Sequence, residues 1–119
     1  MKAMTWLLCA VADPIRLRLL RLLHRQELCV CELMEAVHLP QYQVSRHLRE
    51  LRLAGLVEAT RSGRWMHYRI SRKAATNAFN EDLLKLLDVH TRELAEAKRD
   101  DARLARQLAG GRADRCMRA

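Results

Sequence analysis

The sequence predicts a mainly α-helical fold with a small β-hairpin, in the order of a winged helix-turn-helix. Three observations predict it. A short helical pattern, a break at His38-Leu39-Pro40 and a longer amphipathic pattern follow one another between residues 32 and 53. Two strand-like segments come next, separated by Ser62-Gly63, a turn signal. Helical patterns with apolar residues on one face precede and follow this unit.

Each element has its own signals. Residues 2 to 11 are amphipathic and predict a first helix. Asp13 and Pro14 supply a cap and a first-turn proline, which open a second helix with its Leu residues on one face and its Arg residues mostly on the other. Leu28 to Cys31 reads as a short extended segment, and Glu32 to Val37 as a two-turn helix. Leu39-Pro40 breaks the chain. Gln41 to Leu53 then forms a helix with Val44, Leu48 and Leu51 buried, stopped by Gly55. Leu56 to Thr60 and Trp65 to Ile70 are the hairpin strands. Residues 77 to 108 read as one long helix with Leu83, Leu84, Leu87, Leu94, Ala97, Leu104 and Leu108 along one side, ended by Gly110-Gly111.

A chain of 119 residues suits one domain, expected over 1–109, with a flexible basic tail over 110–119. Aromatic residues make up only 4%, so Leu, Val and Ala must fill the core. Lys and Arg number 22 against 14 Asp and Glu, a net charge of +8, which favours a polyanionic partner, nucleic acid first. No apolar run reaches membrane-spanning length. The four cysteines, Cys9, Cys29, Cys31 and Cys116, do not make the dense framework of a small secreted domain. The expected location is cytoplasmic, with the thiols reduced.

The second helix of a helix-turn-helix enters the DNA major groove with its N-terminal residues at the base edges. Here those residues are Gln41, Tyr42, Gln43, Ser45 and Arg46, with Arg49 one turn further on. Gln reads adenine and Arg reads guanine through paired hydrogen bonds. Tyr42 either contacts the groove or packs under the turn. Residues 41 to 72 hold seven Arg against two Glu, so the excess charge gathers in this unit. Arg61 and Arg64 flank the hairpin tip, where they can follow phosphates without reading sequence. The expected partner is double-stranded DNA. No Gly-rich phosphate loop appears, Ser45 has no acid-base neighbour in sequence, and no enzyme signature is present.

Glu27-Leu28-Cys29-Val30-Cys31-Glu32-Leu33 lies just ahead of this unit. Two thiols one residue apart at a helix start favour a soft or thiophilic ion, and a helix N-terminus favours the thiolate. In a regular helix residues i and i+2 point apart, so both can hold one ion only if the first turn bends or unwinds.

At this point the chain resembles the ArsR family of metal- and metalloid-responsive repressors, over residues 7 to 71. The matching pieces are Ala12-Asp13-Pro14-Ile15-Arg16-Leu17-Arg18, the thiol motif, Gln43-Val44-Ser45-Arg46-His47-Leu48, Ala54-Gly55-Leu56-Val57 and Gly63-Arg64-Trp65-Met66-His67-Tyr68-Arg69. The resemblance implies a winged-helix homodimer joined through its first and last helices, a repressor that leaves an inverted-repeat operator when an ion binds. In the arsenical-responsive branch the thiol motif carries a third Cys, where this chain has Met34. The resemblance therefore implies arsenite or antimonite as inducer, with no organic cofactor. A divalent soft metal (cadmium, lead or zinc) or thiol oxidation is the alternative.

Cys29 and Cys31 are the metal ligands carried over from that branch. Met34, Cys9 and Cys116 are the candidates for a third. Met34 has the spacing but no thiolate, and Cys9 sits on a helix. A tail from Gly110 spans up to about 3.3–3.6 Å per residue, so Cys116 is the expected third ligand. A second type of family site uses His and carboxylates. Asp88-Val89-His90 resembles its first half, but Asp101 and Leu104 depart from its second.

Overall fold

The structure, a computed structural model, describes residues 1–72 and 77–110. Its elements are α1 (Lys2–Val11), α2 (Pro14–Arg25), β1 (Leu28–Cys29), α3 (Val30–Val37), α4 (Gln41–Leu53), β2 (Val57–Ser62), β3 (Trp65–Ile70), α5 (Asn77–Thr91) and α6 (Ala95–Ala109). Helices α3 and α4 with the β2–β3 wing form the winged helix-turn-helix that the sequence predicts.

The caps explain where the helices begin. The Asp13 carboxylate accepts from the backbone N–H of Ile15 and Arg16 at 2.8 and 3.1 Å, which starts α2 behind Pro14. Helix α3 starts at Val30, two residues earlier than the sequence pattern suggests. Cys29 occupies the cap position, its sulfur accepting from the Glu32 N–H, and the Glu32 carboxylate accepts from the Cys29 N–H at 2.8 Å. This is a capping box with cysteine in place of serine or threonine.

Two expectations need correction at the strands. The sheet has three strands rather than two, in the order β1-β3-β2, because the extended residues before α3 pair antiparallel with β3. Strand β2 also runs to Ser62, so the tip is Gly63-Arg64. Gly63 takes φ +63°, a value that tight hairpins need and side chains resist.

The long C-terminal helix is in fact two helices. A rod over residues 77–108 would reach about 48 Å at 1.5 Å per residue, beyond the molecule's longest extent of 43 Å. The chain instead turns at Arg92–Leu94, where Leu94 N–H donates to Thr91 O at 2.9 Å, and α6 folds back onto α3. Apolar spacing alone cannot show this turn, since the stripe continues across it. Leu94 pays no part in the core and is left exposed as the cap of α6, while Ala97 and Leu104 are buried.

The core lies between α2, α3, α4 and the sheet, filled by Leu19, Leu20, Leu22, Leu33, Leu48 and Leu56 among others. Val44, Leu48 and Leu51 are completely buried, as their spacing predicts. No helix among the described residues is long and apolar enough to cross a membrane.

Candidate nucleic-acid interface and thiol site

Burial of Val44, Leu48 and Leu51 turns the other side of α4 outward. Gln41, Tyr42, Arg46 and Arg49 are exposed, while Gln43 and Ser45 are half-buried. Tyr42 is 69% exposed and is not packed under the turn. Arg61 and Arg64 are exposed at the wing. None of Arg46, Arg49, Arg61 and Arg64 forms an ion pair with a described residue, whereas Arg69 at the wing root pairs with Glu58 at 3.0 Å. The four outward guanidiniums are therefore available to an external anion.

The recognition helix is also held from behind, by contacts that spacing does not reveal. His47 is buried, with Nδ1 3.3 Å from Arg16 Nη1 and 4.0 Å from Asp13 Oδ1. Arg16 also donates to Ala10 O at the end of α1. As acceptor from Arg16, His47 is neutral and carries its proton on Nε2. Burial pushes its pKa below the ordinary 6.5; Asp13 opposes this, while Arg16 and Arg46 add to it. For Asp13, burial raises the pKa, but the N–H groups of Arg16 and Ile15 with the charges of His47 and Arg16 bring it below 3.8.

The turn before α4 has a specific chemistry. His38 adopts the left-handed conformation, φ 58° and ψ 50°, and closes α3, with Leu39 N–H donating to Met34 O at 3.2 Å. The last carbonyls of α3 are met by two arginines. Arg18 Nη2 donates to Val37 O at 2.6 Å and Arg103 Nε to Ala36 O at 2.8 Å. Positive charge at a helix C-terminus is favourable. The Asp100 carboxylate joins both guanidiniums, so α6 grips the end of α3 next to the turn.

At the other end of α3 stand the thiols. Cys29 is 1% exposed at the cap and Cys31 is half-buried on the first turn. Met34 is partly buried against the core and Cys9 is exposed on α1. Cys116 lies outside the described residues. Among the described residues no three His, Cys, Asp or Glu side chains converge closely enough to hold a metal ion. Asp88, from the half-match Asp88-Val89-His90, and Asp101, which departs from the other half of that site, both face Arg21 and Arg25 at 3.3–3.7 Å. Sequence reading missed one neighbour of the thiols. The β1–β3 register sets His67 directly opposite Cys29. Only the pairing of β1 could have revealed it, and β1 is two residues long.

Comparison with known proteins follows the same residues. The family described as "Bacterial regulatory protein, arsR family" matches residues 13–59. The arsenic resistance transcriptional regulator ArsR1 of Pseudomonas putida is 48% identical over 61 residues, 50% of this chain and 48% of that protein. The chain thus spans about half the length of the curated relatives it matches first. Reduced HlyU from Vibrio cholerae superposes with a TM-score of 0.65 at 30% identity, over 79% of this chain and 90% of that one. The homodimeric winged helix-turn-helix DNA-binding domain of a possible ArsR-family regulator from Mycobacterium bovis superposes with a TM-score of 0.63 at 29% identity, over 78% and 82%.

Proposed function

The chain belongs to the ArsR family of bacterial regulatory proteins, and from that membership we propose that it is a homodimeric repressor that leaves operator DNA when Cys29 and Cys31 bind trivalent arsenic or antimony. The single observation that carries this reading is the Cys29 cap. Its sulfur holds the Glu32 N–H, so it helps to form the first turn of α3. An ion bound by the Cys29 sulfur competes with its hold on the Glu32 N–H, so ligation and the cap oppose one another. Binding therefore loosens the start of α3, the helix that precedes the recognition helix. Arsenite loses two hydroxyls as water as the two thiols form As–S bonds, and a third thiol would displace the last hydroxyl in the same way. Met34, a thioether at the position of the branch's third thiol, cannot displace it. Cys116 stays a candidate for the third sulfur.

A dimer is supported by the apolar side chains that one chain leaves outside. Trp6 and Leu8 on α1 and Leu86 and Val89 on α5 are each about half exposed. The Mycobacterium bovis relative is homodimeric. A two-fold dimer makes the operator an inverted repeat. Residues 1–109 act as one DNA-binding and dimerising unit in this reading, with 110–119 as its tail.

The test is a gel shift of the chain's own promoter region with and without arsenite. Wild type is released by arsenite. The double variant Cys29→Ser, Cys31→Ser binds the same DNA and is not released, since serine oxygen is a poor partner for a soft ion. Release of the double variant at the wild-type arsenite concentration would rule out this site.

A further inference from the structure

We propose that Arg16 is the positioning residue of the recognition helix, acting through a neutral His47, and that a proton on His47 therefore weakens operator binding. The inference rests on the chain binding operator DNA and is independent of the thiol site.

Arg16 joins three helices. Its backbone N–H meets the Asp13 carboxylate at the start of α2, its Nε donates to Ala10 O in the last turn of α1, and its Nη1 donates to His47 Nδ1 on α4 at 3.3 Å. Ala10 and His47 are both buried. Arg46, an outward guanidinium of the interface, is the next residue in the helix, so a shift of His47 moves it too. Helix α1 also carries Trp6 and Leu8, assigned above to the dimer. The path from Ala10 O through Arg16 to His47 thus sets α4 against the helix that joins the two copies, and with it the spacing of the two recognition helices.

His47 can hold this bond in one protonation state. The neutral ring offers its Nδ1 lone pair to the guanidinium, and the protonated ring has no acceptor left. It also places a second positive charge 3.3 Å from Arg16. Its new Nδ1–H then faces the Asp13 carboxylate, 4.0 Å away, which is the cap of α2. The groups that act on the charge of His47 are Asp13 and Arg16 from α2 and Arg46 and Glu50 from α4. Among the described residues of the other elements packed on α4, Glu32 holds the Cys29 N–H, Glu35 holds Gln107 and Glu58 holds Arg69, while Lys2, Cys9, His38 and Arg61 are exposed.

The sign of the effect is distinctive. Acid ordinarily strengthens DNA binding, since each histidine that gains a proton adds positive charge near a polyanion. A proton behind α4 acts the other way, and on the operator alone, where the placement of Arg46 matters. Linkage adds a second signature. If the proton weakens operator binding, then operator binding must lower the pKa of His47. A polyanion acting through its charge alone would raise it.

The experiment measures anisotropy of the full chain on operator and random duplexes at constant salt, from about pH 7.5 to about pH 5.5, across the range in which histidine titrates. Circular dichroism marks the part of that range in which the chain stays folded. The ratio of operator to random affinity is expected to fall about tenfold, the scale of one hydrogen bond to a charged group. His47→Asn keeps a side-chain oxygen for Arg16 and does not titrate, so its ratio should not change with pH. Arg16→Ala should show a low ratio throughout, also without a pH step. A constant ratio in wild type, or the same fall in His47→Asn, overturns the proposal and leaves the repressor reading standing. Absence of operator binding at the upper pH overturns both. Should the variants fail to fold, wild type labelled in its histidine nitrogens decides. His47 is expected to titrate at lower pH with operator bound than without, and an unchanged or higher value overturns the proposal.

Discussion

Arg18 grips Asp100 with two guanidinium nitrogens, at 2.8 and 2.9 Å, and so joins α2 to α6 across 82 residues of chain. Asp100 is fully buried, and Arg103 reaches the same carboxylate at 3.0 Å. Removing one member of a buried pair leaves the other charges uncompensated, which costs more than the pair contributes. Asp100→Ala is expected to destabilise the chain by about 3 kcal/mol, measured by urea unfolding. It should also weaken DNA binding, because both arginines position the last turn of α3. A loss below about 1 kcal/mol would place the pair with ordinary solvated ion pairs.

His38 offers a gain in stability. A left-handed conformation costs a side-chain-bearing residue roughly 1–2 kcal/mol relative to the right-handed one, and glycine is the usual residue at this helix end. His38→Gly should therefore raise stability, by about 0.5–1 kcal/mol after the added freedom of the unfolded chain is deducted. The check is the thermal midpoint, with DNA affinity followed alongside. A lower midpoint would mean that the His38 ring makes a contact worth more than the strain.

Much of this architecture is legible in the sequence because local chemistry dictates it. Asp13-Pro14, the break before Pro40, the stripe of Val44, Leu48 and Leu51, and Gly63 each act within one turn of chain. What escapes is long-range. The turn at Arg92–Leu94 interrupts no apolar repeat, and it forms because α6 finds Arg18 and the end of α3. The extra strand has two residues, too few to show alternation, yet it brings His67 to Cys29. The earlier start of α3 was readable in principle, since Cys29-Val30-Cys31-Glu32 has the spacing of a capping box. Cysteine at the cap hides it. The outward face of α4 follows from its buried stripe, but the brace of His47 by Arg16 and Asp13 depends on how α2 lies against α4.

That brace predicts a pH dependence. His47 has a pKa below 6.5 in the folded chain, first because it is buried. The unfolded chain therefore takes up the proton at a higher pH than the folded one, and acid favours unfolding. The contribution of His47 is fully present above 6.5 and is lost as pH falls through its lowered folded value. Asp13 adds a second loss below 3.8, since its folded value is lowered too. A denaturation midpoint followed against pH should fall between about pH 7 and 5, the range in which histidine titrates. His47→Gln should flatten that limb and leave the more acidic one. An identical profile in the variant would assign the limb to another group.

The two arginine positions of the interface make separable predictions. Arg46 projects from the first half of α4, on the face that the buried stripe turns outward, where a guanidinium can read a guanine through two parallel bonds. Arg46→Ala should weaken binding to the operator by about 1–3 kcal/mol and relax the preference at one base position. Arg64 stands beyond β2 at the tip of the wing, exposed and without an ion pair to any described residue. A phosphate contact there releases counterions and carries no sequence information. Arg64→Ala should therefore weaken operator and random DNA alike, and reduce the slope of log affinity against log salt by about one. Neither side chain supports the core, so both variants should keep the wild-type unfolding midpoint. Fluorescence anisotropy on operator and scrambled duplexes, at several salt concentrations, gives both quantities from one data set. If Arg64→Ala changed sequence preference while Arg46→Ala lowered only the salt slope, the groove and wing roles would be exchanged.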